Sequence, residues 1–403
     1  MEIRPILSAL LRSKVSMILI GLQVALTLAI VSNALFIVSE RLERMQRPSG
    51  MNEADTFLFN STGFGQGYDV KSVQQGDLQL LRGLPGVVDA TSIISVPMSE
   101  SGWSTGVSLQ PRQATSTANT ALYMVDAHGL SSYGLKLVEG RDFRPEEIGF
   151  RSMNDRNVPT TVIITRALAA RLFPQGGALG KQVYYDNEGP PTTIIGIVDH
   201  LQTPWLDADF IDNSSLMPAY LPYGNVTRYL VRAEPGRRDE VMQGVEQAMI
   251  QANPSRIIGR VRTMEQVRAD GYAGDRAMAI ILGAVIVALL AITALGIVGM
   301  ASFWVAQRTR QIGTRRALGA TRWDILRYFH TENFIITTLG LVVGGVLAYA
   351  LSLWLMREYQ APRLPWHYVP VGFACLWLLG QLAVLGPALR ASRVPPALAT
   401  RSV

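Results

Sequence analysis

Cysteine is almost absent from this 403-residue sequence: Cys375 stands alone. A disulfide framework or a cysteine-based metal site within the chain is therefore excluded. Histidine is nearly as scarce. His128, His200, His330 and His367 are scattered and lack the i, i+4 pairing of a zinc-binding helix. Charged residues make up 17%, against about 25% in ordinary soluble domains. No nucleophile sits in the spacing of a catalytic signature. Gly176-Gly177-Ala178-Leu179-Gly180-Lys181-Gln182 resembles a phosphate loop, but its glycine spacing is one residue short. Gln182 also replaces the Ser or Thr that would hold magnesium, so the stretch reads as a helix-to-strand turn. Asp199-His200 is no catalytic pair, because neighbours on an extended segment face opposite ways. No catalytic, metal-binding or cofactor-binding residue is assigned, and the chain reads as a non-enzyme.

What the sequence has instead is four long apolar runs without a single charge: Val15–Ser39, Ala277–Gln307, Asn333–Met356 and Tyr368–Leu389. Each meets the need of about 20 residues for a helix crossing a ~30 Å hydrocarbon layer. Four transmembrane helices are expected over 15–39, 277–307, 333–356 and 368–389. The first run begins like a signal peptide, yet its 25 charge-free residues exceed the about 7–15 of a signal core, so it is read as an uncleaved anchor. Cys375 lies inside the fourth run as a small hydrophobe.

Lys and Arg set the orientation. Arg4, Arg12 and Lys14 precede the first run; Arg308, Arg310, Arg315, Arg316, Arg322 and Arg327 lie between the second and third; Arg390, Arg393 and Arg401 follow the fourth. The loop after the third holds Arg357 and Arg363 with Glu358. Basic loops stay inside, so residues 1–14, 308–332 and 390–403 are expected in the cytoplasm. Residues 39–276 carry 23 basic and 27 acidic side chains, while the remainder carries 14 and 4. The positive balance thus belongs to the flanks of the spans, where anionic lipid attracts it, and is no nucleic-acid signature.

The external segment, 40–276, is long enough for a core of its own. Near its ends lie two similar units. One is strand Thr56–Asn60, a helix from about Ser72 and strand Val87–Ser95. The other is strand Arg228–Ala233, helix Arg238–Gln251 and strand Ile257–Arg262. Val73, Leu78, Leu81 and Leu84, and Val241, Val245, Ala248 and Met249, recur with helical period. Such pairs combine as a split βαβ layer of helices on a sheet, expected over about 54–104 and 226–265. Residues 105–225 read as an inserted β-rich subdomain with one helix, Arg166–Phe173, and strands Gln182–Asp186 and Thr192–Val198. Residues 39–53 read as a helical extension of the first span.

The loop from Gln307 to Asn333 holds more arginine than topology needs. Gly319 is expected to end a helix running down from the second span. Thr321 offers an N-cap to a new one, with Asp324 favouring its start. The new helix would put Trp323, Leu326 and His330 on one side and Ile325 and Phe329 on an adjoining one. It either lies in the membrane interface or docks into a groove on a soluble partner.

Arg308 to Leu326, RTRQIGTRRALGATRWDIL, resembles the hallmark of the FtsX/MacB-like permeases, the type VII ABC transporter superfamily. So do Leu137-Val138-Glu139-Gly140-Arg141-Asp142-Phe143, Val162–Gly180, Thr192–Val198 and the tail Pro387–Arg393 with Pro396 and Ala397-Leu398. The fold this implies is a membrane α part plus an extracytoplasmic α/β domain: a porter-like layer interrupted by a Sabre-like insertion, in a bacterial inner membrane with that domain in the periplasm. MacB-like members carry a fused ATPase, whereas this chain starts at the first span. The resemblance therefore implies a separate ABC ATPase in two copies, holding ATP and Mg, and a second permease chain, identical or paralogous. It gives Gly313, Arg315, Arg316, Gly319, Ala320, Trp323, Asp324 and Ile325 as ATPase-coupling residues. Arg308 and Arg310 serve either that role or lipid anchoring. Gln23 and Asn33 stand either at a dimer seam or in packing within the chain, and Gln381 prefers helix contacts to lipid. The function implied is mechanotransmission for efflux from the periplasm, through an adaptor and an outer-membrane duct. Lipoprotein extraction, control of cell-wall hydrolases or peptide sensing are the alternatives within the family; a non-transporting receptor or a membrane enzyme stands outside it.

Overall fold

In the computed structural model, residues 14–152, 159–185, 189–359 and 362–395 are described. Arg4, Arg12, Asp186, Pro396, Ala397, Leu398 and Arg401, invoked above, lie outside them. The chain divides into two compact units, residues 1–46 with 274–403, and residues 47–273.

Helix α1 (Lys14–Met45) covers the first apolar run and stops well short of residue 53. The expected extension ends there because Pro48 forces Arg47 out of the helical region and cannot itself donate to a helix. In the second unit, β1 (Thr56–Gly63), α2 (Val70–Arg82) and β2 (Val87–Ile93) form the first strand–helix–strand unit. Asp69 caps α2 by accepting from the Lys71 N–H at 3.1 Å. The insertion supplies β3 (Trp103–Val107), β4 (Ala118–Val125), α3 (Gly129–Tyr133), β5 (Leu137–Gly140), β6 (Gly149–Phe150) and β7 (Thr161–Thr165). It continues through α4 (Arg166–Leu172), β8 (Gln182–Val183), β9 (Thr192–Val198) and β10 (Ser214–Tyr220). The second unit of the pair follows as β11 (Val226–Ala233), α5 (Arg238–Ala252) and β12 (Arg256–Ile258), then β13 (Arg262–Thr263) and α6 (Met264–Gly271).

The first sheet has the order β12-β1-β11-β2, with β13 also on β1, and every pairing is antiparallel. This is the split βαβ layer. Leu78 and Leu81 of α2 and Val241, Val245 and Met249 of α5 bury against Phe57, Phe59, Tyr229 and Val231. Beneath α2, Arg256 and Asp77 form an ion pair at 2.7 Å that is almost wholly buried, and the Tyr229 hydroxyl donates to the same carboxylate. The expected strand Ile257–Arg262 is two short strands. Ser61 pairs with Ile258 and Leu58 with Arg262, so three residues lie between on one strand and two on the other, a bulge. Helix α6 escaped the sequence reading although Thr263 and Gln266 form a capping box at its start.

The second sheet runs β3-β4-β10-β7-β9-β5, with β6 on β10 and β8 on β9. It is mixed: β4 with β10 and β7 with β9 are parallel. Its core joins Val162, Ile164, Ile194 and Met217 to Leu168 and Leu172 of α4. The insertion opens at Trp103.

In the other unit, α7 (Ala273–Gln307), α8 (Thr309–Ala317), α9 (Arg322–Tyr359) and α10 (Tyr368–Ser392) follow. Among the described residues, α1, α7, α9 and α10 are long and apolar enough to cross a membrane. Helices α1 and α9 touch through their backbones. A Cβ on Gly340 would lie 2.7 Å from the Gly21 carbonyl oxygen, and one on Gly344 2.8 Å from the Ala25 Cα. A Cβ on Gly372 of α10 would lie 2.9 Å from side-chain atoms of both Leu28 and Ser32 of α1. Small residues at such crossings bring helix dipoles and side-chain donors within reach of one another, which apolar lipid cannot offer.

Candidate functional site

The sequence directs attention to the segment between α7 and α9. Helix α7 ends at Gln307, where Arg308 leaves the helical region, and α8 follows at once as a separate short helix. It ends in a Schellman arrangement. Gly319 adopts φ +99°, its N–H donates to the Arg316 carbonyl at 3.2 Å, and the Ala320 N–H donates to the Arg315 carbonyl at 3.1 Å. Glycine reaches that positive φ without the clash a Cβ would bring. Immediately after, Thr321 and Asp324 cap α9 reciprocally. The Asp324 N–H donates to Thr321 Oγ1 at 3.2 Å, and the Thr321 N–H and hydroxyl donate to the Asp324 carboxylate at 3.0 and 2.6 Å. Within Leu318–Thr321 one helix is closed and another opened, and the exposed backbone groups at both ends are met locally. The result is a tight elbow.

The expected separate helix of this loop and the third span are one continuous helix, α9, beginning at Arg322. The apolar run starts at Asn333, but the cap that starts the helix, Thr321, lies twelve residues earlier. The underside of the elbow is fixed. Ile312, Ile325 and Phe329 bury against Ala388 and Ala391 of α10. Arg316 donates to the carbonyls of Ser392 at 2.8 Å and Val394 at 3.2 Å, occupying acceptors that the end of α10 leaves over. Arg315 lies over the Tyr328 ring, 4.9 Å from its centroid. Arg308 reaches both oxygens of Glu332 at 2.9 and 3.0 Å and lies near the Trp304 ring.

The upper side is open. Leu318 is 84% and Trp323 67% exposed. Of the eight residues singled out from sequence, Arg315, Gly319, Trp323 and Asp324 are exposed. Gly313 and Ile325 are buried, and Arg316 and Ala320 are half-buried against the bundle. The facing also differs from expectation. Ile325 and Phe329 turn inward and Trp323 outward, while His330 Nδ1 meets Gln381 Oε1 at 2.8 Å and so belongs to the helix packing. Sequence reasoning passed over Leu318 and Glu332. Glu332 is the only acid between Asp324 and Glu358, which was the available signal. Of the two arginines left between coupling and lipid anchoring, Arg308 is tied into the chain and Arg310 is exposed.

Gln23 donates to the Ile292 carbonyl at 3.0 Å, and Asn33 donates to the carbonyls of Ala29 at 2.9 Å and Ala348 at 3.0 Å. Both amides thus have a partner inside the chain. The Leu137–Phe143 stretch is structural in character. Gly140, at φ +80°, passes so close to the Ile195 carbonyl that a Cβ would lie 2.2 Å from its oxygen. Arg141 forks onto Glu147 at 2.8 and 2.7 Å, and that hydrogen bonding holds the Glu147 carboxyl below its usual range. Burial pushes the neighbouring Asp142 carboxyl up.

Comparison with known proteins bears on both units. The family profile described as MacB-like periplasmic core domain matches residues 15–261, and that described as FtsX-like permease C-terminal matches residues 283–396. The chain is 25% identical over 276 residues to the macrolide export ATP-binding/permease protein MacB of Chromobacterium violaceum, covering 65% of this chain and 40% of that one. It is 23% identical over 300 residues to the ABC transporter permease YvrN of Bacillus subtilis, covering 71% of each. The chain thus spans about 40% of the length of the MacB relatives it matches and most of YvrN. Among solved structures, the periplasmic region of MacB from Actinobacillus actinomycetemcomitans aligns with TM-score 0.36 and 14% identity, covering 57% of this chain and 97% of that one. With four apolar helices, a large α/β domain between the first two, and profiles that together cover nearly its whole length, this multi-pass membrane protein belongs to the FtsX/MacB-like permeases of the type VII ABC transporter superfamily.

Proposed function

We propose that the elbow Leu318–Trp323 is the surface on which a separate ABC ATPase acts, and that this chain transmits the resulting motion to its large domain to drive efflux. The observation that carries this reading is the pairing of a fixed underside with an apolar upper side. Ile325 and Phe329 are seated in the bundle, while Leu318 and Trp323, on the capped turn between two helices, face outward. An aromatic anchor on a preorganised turn is the usual centre of a protein interface. The arginine-rich flanks support placing this turn in the cytoplasm, with the large domain in the periplasm of a bacterial inner membrane. Two ATPase subunits would hold the ATP and Mg, and two permease chains would face each other. The adaptor and outer-membrane duct complete the path, and the macrolide-export role of the MacB relative supports efflux over the family's other tasks.

The test is co-purification of the full chain with a candidate ATPase. Trp323→Ala is expected to weaken the complex by about 2 kcal/mol or more, an interface hot-spot loss, while leaving the thermal midpoint of the permease unchanged. Asp324→Lys, which breaks the cap, is expected to lower both. If the Trp323 variant assembles and supports ATP-driven activity as the parent does, the docking assignment is wrong.

A further inference from the structure

Helices α2 and α5 cover one face of the sheet β12-β1-β11-β2, the face that carries Phe57, Phe59, Tyr229 and Val231. Register sends other side chains to the opposite face: Arg228 stands across from Asn60, and Arg262 across from Leu58. There they line a cavity of about 310 Å³ together with Arg260, the loop after β2 and the end of α6. Arg228 is half-buried, and among the described residues it donates only to neutral acceptors, Asn60 Oδ1 at 3.0 Å and the Ile94 carbonyl at 3.1 Å. Burial draws its guanidinium below the usual range, and the charge of Arg262 adds to that. Arg260 is exposed and has no hydrogen bond or ion pair among the described residues. The two acids of the cavity are already engaged, Asp270 by Arg262 at 2.6 Å and Glu100 by the Leu206 N–H at 3.0 Å. Three arginines against two carboxylates leave one positive charge over. The loop wall has an unusual shape. Met98 and Glu100 adopt φ +64° and +53°, two of the three positive values among the described non-glycine residues. Such backbone persists where its surroundings impose it, and it clusters at ligand clamps.

We propose that this cavity binds a phosphodiester, with its singly charged phosphoryl group between Arg228 and Arg260 and its organic body over the buried side chains of Val96, Met98 and Val267. A guanidinium without a protein carboxylate favours an oxyanion by charge-assisted hydrogen bonds. A phosphoryl group presents its oxygens in several directions and so accepts from two guanidiniums at once, whereas a carboxylate presents a single plane. One negative charge matches the one positive charge left over. An apolar floor with a few convergent polar groups is the usual form of a small-molecule site. Asp270 and Gly271, on the wall, precede the second apolar run at Ala277 by seven and six residues. A lipid headgroup is therefore one source of the diester, and a free glycerophosphodiester is the other. The assignment goes beyond the transport reading, because binding here requires neither ATP nor an ATPase.

The probe is diethyl phosphate, a monoanion, added to the full chain in dodecyl maltoside, which holds no phosphate. Binding is followed by phosphorus-31 line broadening at fixed ionic strength. Triethyl phosphate is the uncharged control, and dihexanoylphosphatidylglycerol in the same micelles is the lipid-borne arm. Diethyl phosphate is expected to bind about tenfold or more tightly than triethyl phosphate, the scale of a hydrogen bond to a charged partner. Arg260→Gln should remove that margin while leaving the thermal midpoint unchanged, since the side chain supports nothing else in the fold. Arg171→Gln, on α4 and outside the cavity, removes the same charge and should leave binding as it was. Arg228→Gln should act as Arg260→Gln does; should it fail to fold, the Arg260 variant decides alone. A lipid that binds about tenfold more tightly than diethyl phosphate supports the proposal with a headgroup as the ligand, and equal binding of the two supports it with a free diester. Equal binding of diethyl and triethyl phosphate, binding of neither diester, or an Arg260→Gln effect no larger than that of Arg171→Gln overturns it.

Discussion

Glu332 sits where α9 enters its apolar run, with only 1% of its side chain exposed, and Arg308 closes on it from the end of α7. Two charges taken out of water at that depth are tolerated because each satisfies the other. Removing one partner leaves the other stranded. Glu332→Gln is expected to cost about 3–5 kcal/mol, read as a lower thermal midpoint in detergent, whereas joint replacement by Arg308→Met and Glu332→Leu should recover most of it. An unchanged midpoint for the single variant would show that the pair is solvated and adds nothing. In the sequence Arg308 and Arg310 read alike, as basic residues flanking a span. They part company only in three dimensions, because the partner of one is 24 residues away. Trp323 and Ile325 pose the same problem. Helical period places them on different sides of the helix. Both faces are apolar, and the partner that decides which is covered, Ala388 with Ala391, lies on another helix.

At the scale of elements, the pairing of α1 with α9 rests on Gly340 and Gly344, one turn apart. Gly344→Leu would drive a Cβ to 2.8 Å from the Ala25 Cα, backbone that cannot yield, so the helices must separate. A loss of about 1–3 kcal/mol or more is expected, with a lowered midpoint in detergent. Gly299→Leu on α7, where nothing lies within 4 Å of the added Cβ, serves as the control and should be neutral. If both variants melt alike, the backbone contact is not what holds the pair. Period-2 and period-3.6 patterns made the two strand–helix–strand units legible, including the sheet that joins them. The bulge that splits β12 from β13 was hidden, since register depends on the partner strand β1. The true start of α9 was obscured differently. Hydropathy reports surroundings, while Thr321 and Asp324 report where the helix begins, and His330, Thr331 and Glu332 are polar without breaking it.

For the whole molecule, orientation is the property on which the proposed work depends, and a chain with one cysteine makes it easy to measure. With Cys375→Ser as background and Leu318→Cys as the reporter, a membrane-impermeant maleimide is expected to label intact spheroplasts poorly and inverted vesicles fully. Labelling from the outer side alone would overturn the orientation and, with it, the docking of an ATPase at the elbow. The expectation of this orientation rests on charge asymmetry alone, because the bilayer sorts basic loops before the protein folds. The continuity of α9 carries the matter one step further. At 38 residues it measures about 57 Å, more than the full depth of a bilayer with its headgroups. A rod of that length with no proline and no interrupted turn has no slack to take up. Under the proposed function, a thrust delivered beside Trp323 would reach Tyr359 as a displacement of nearly the same size.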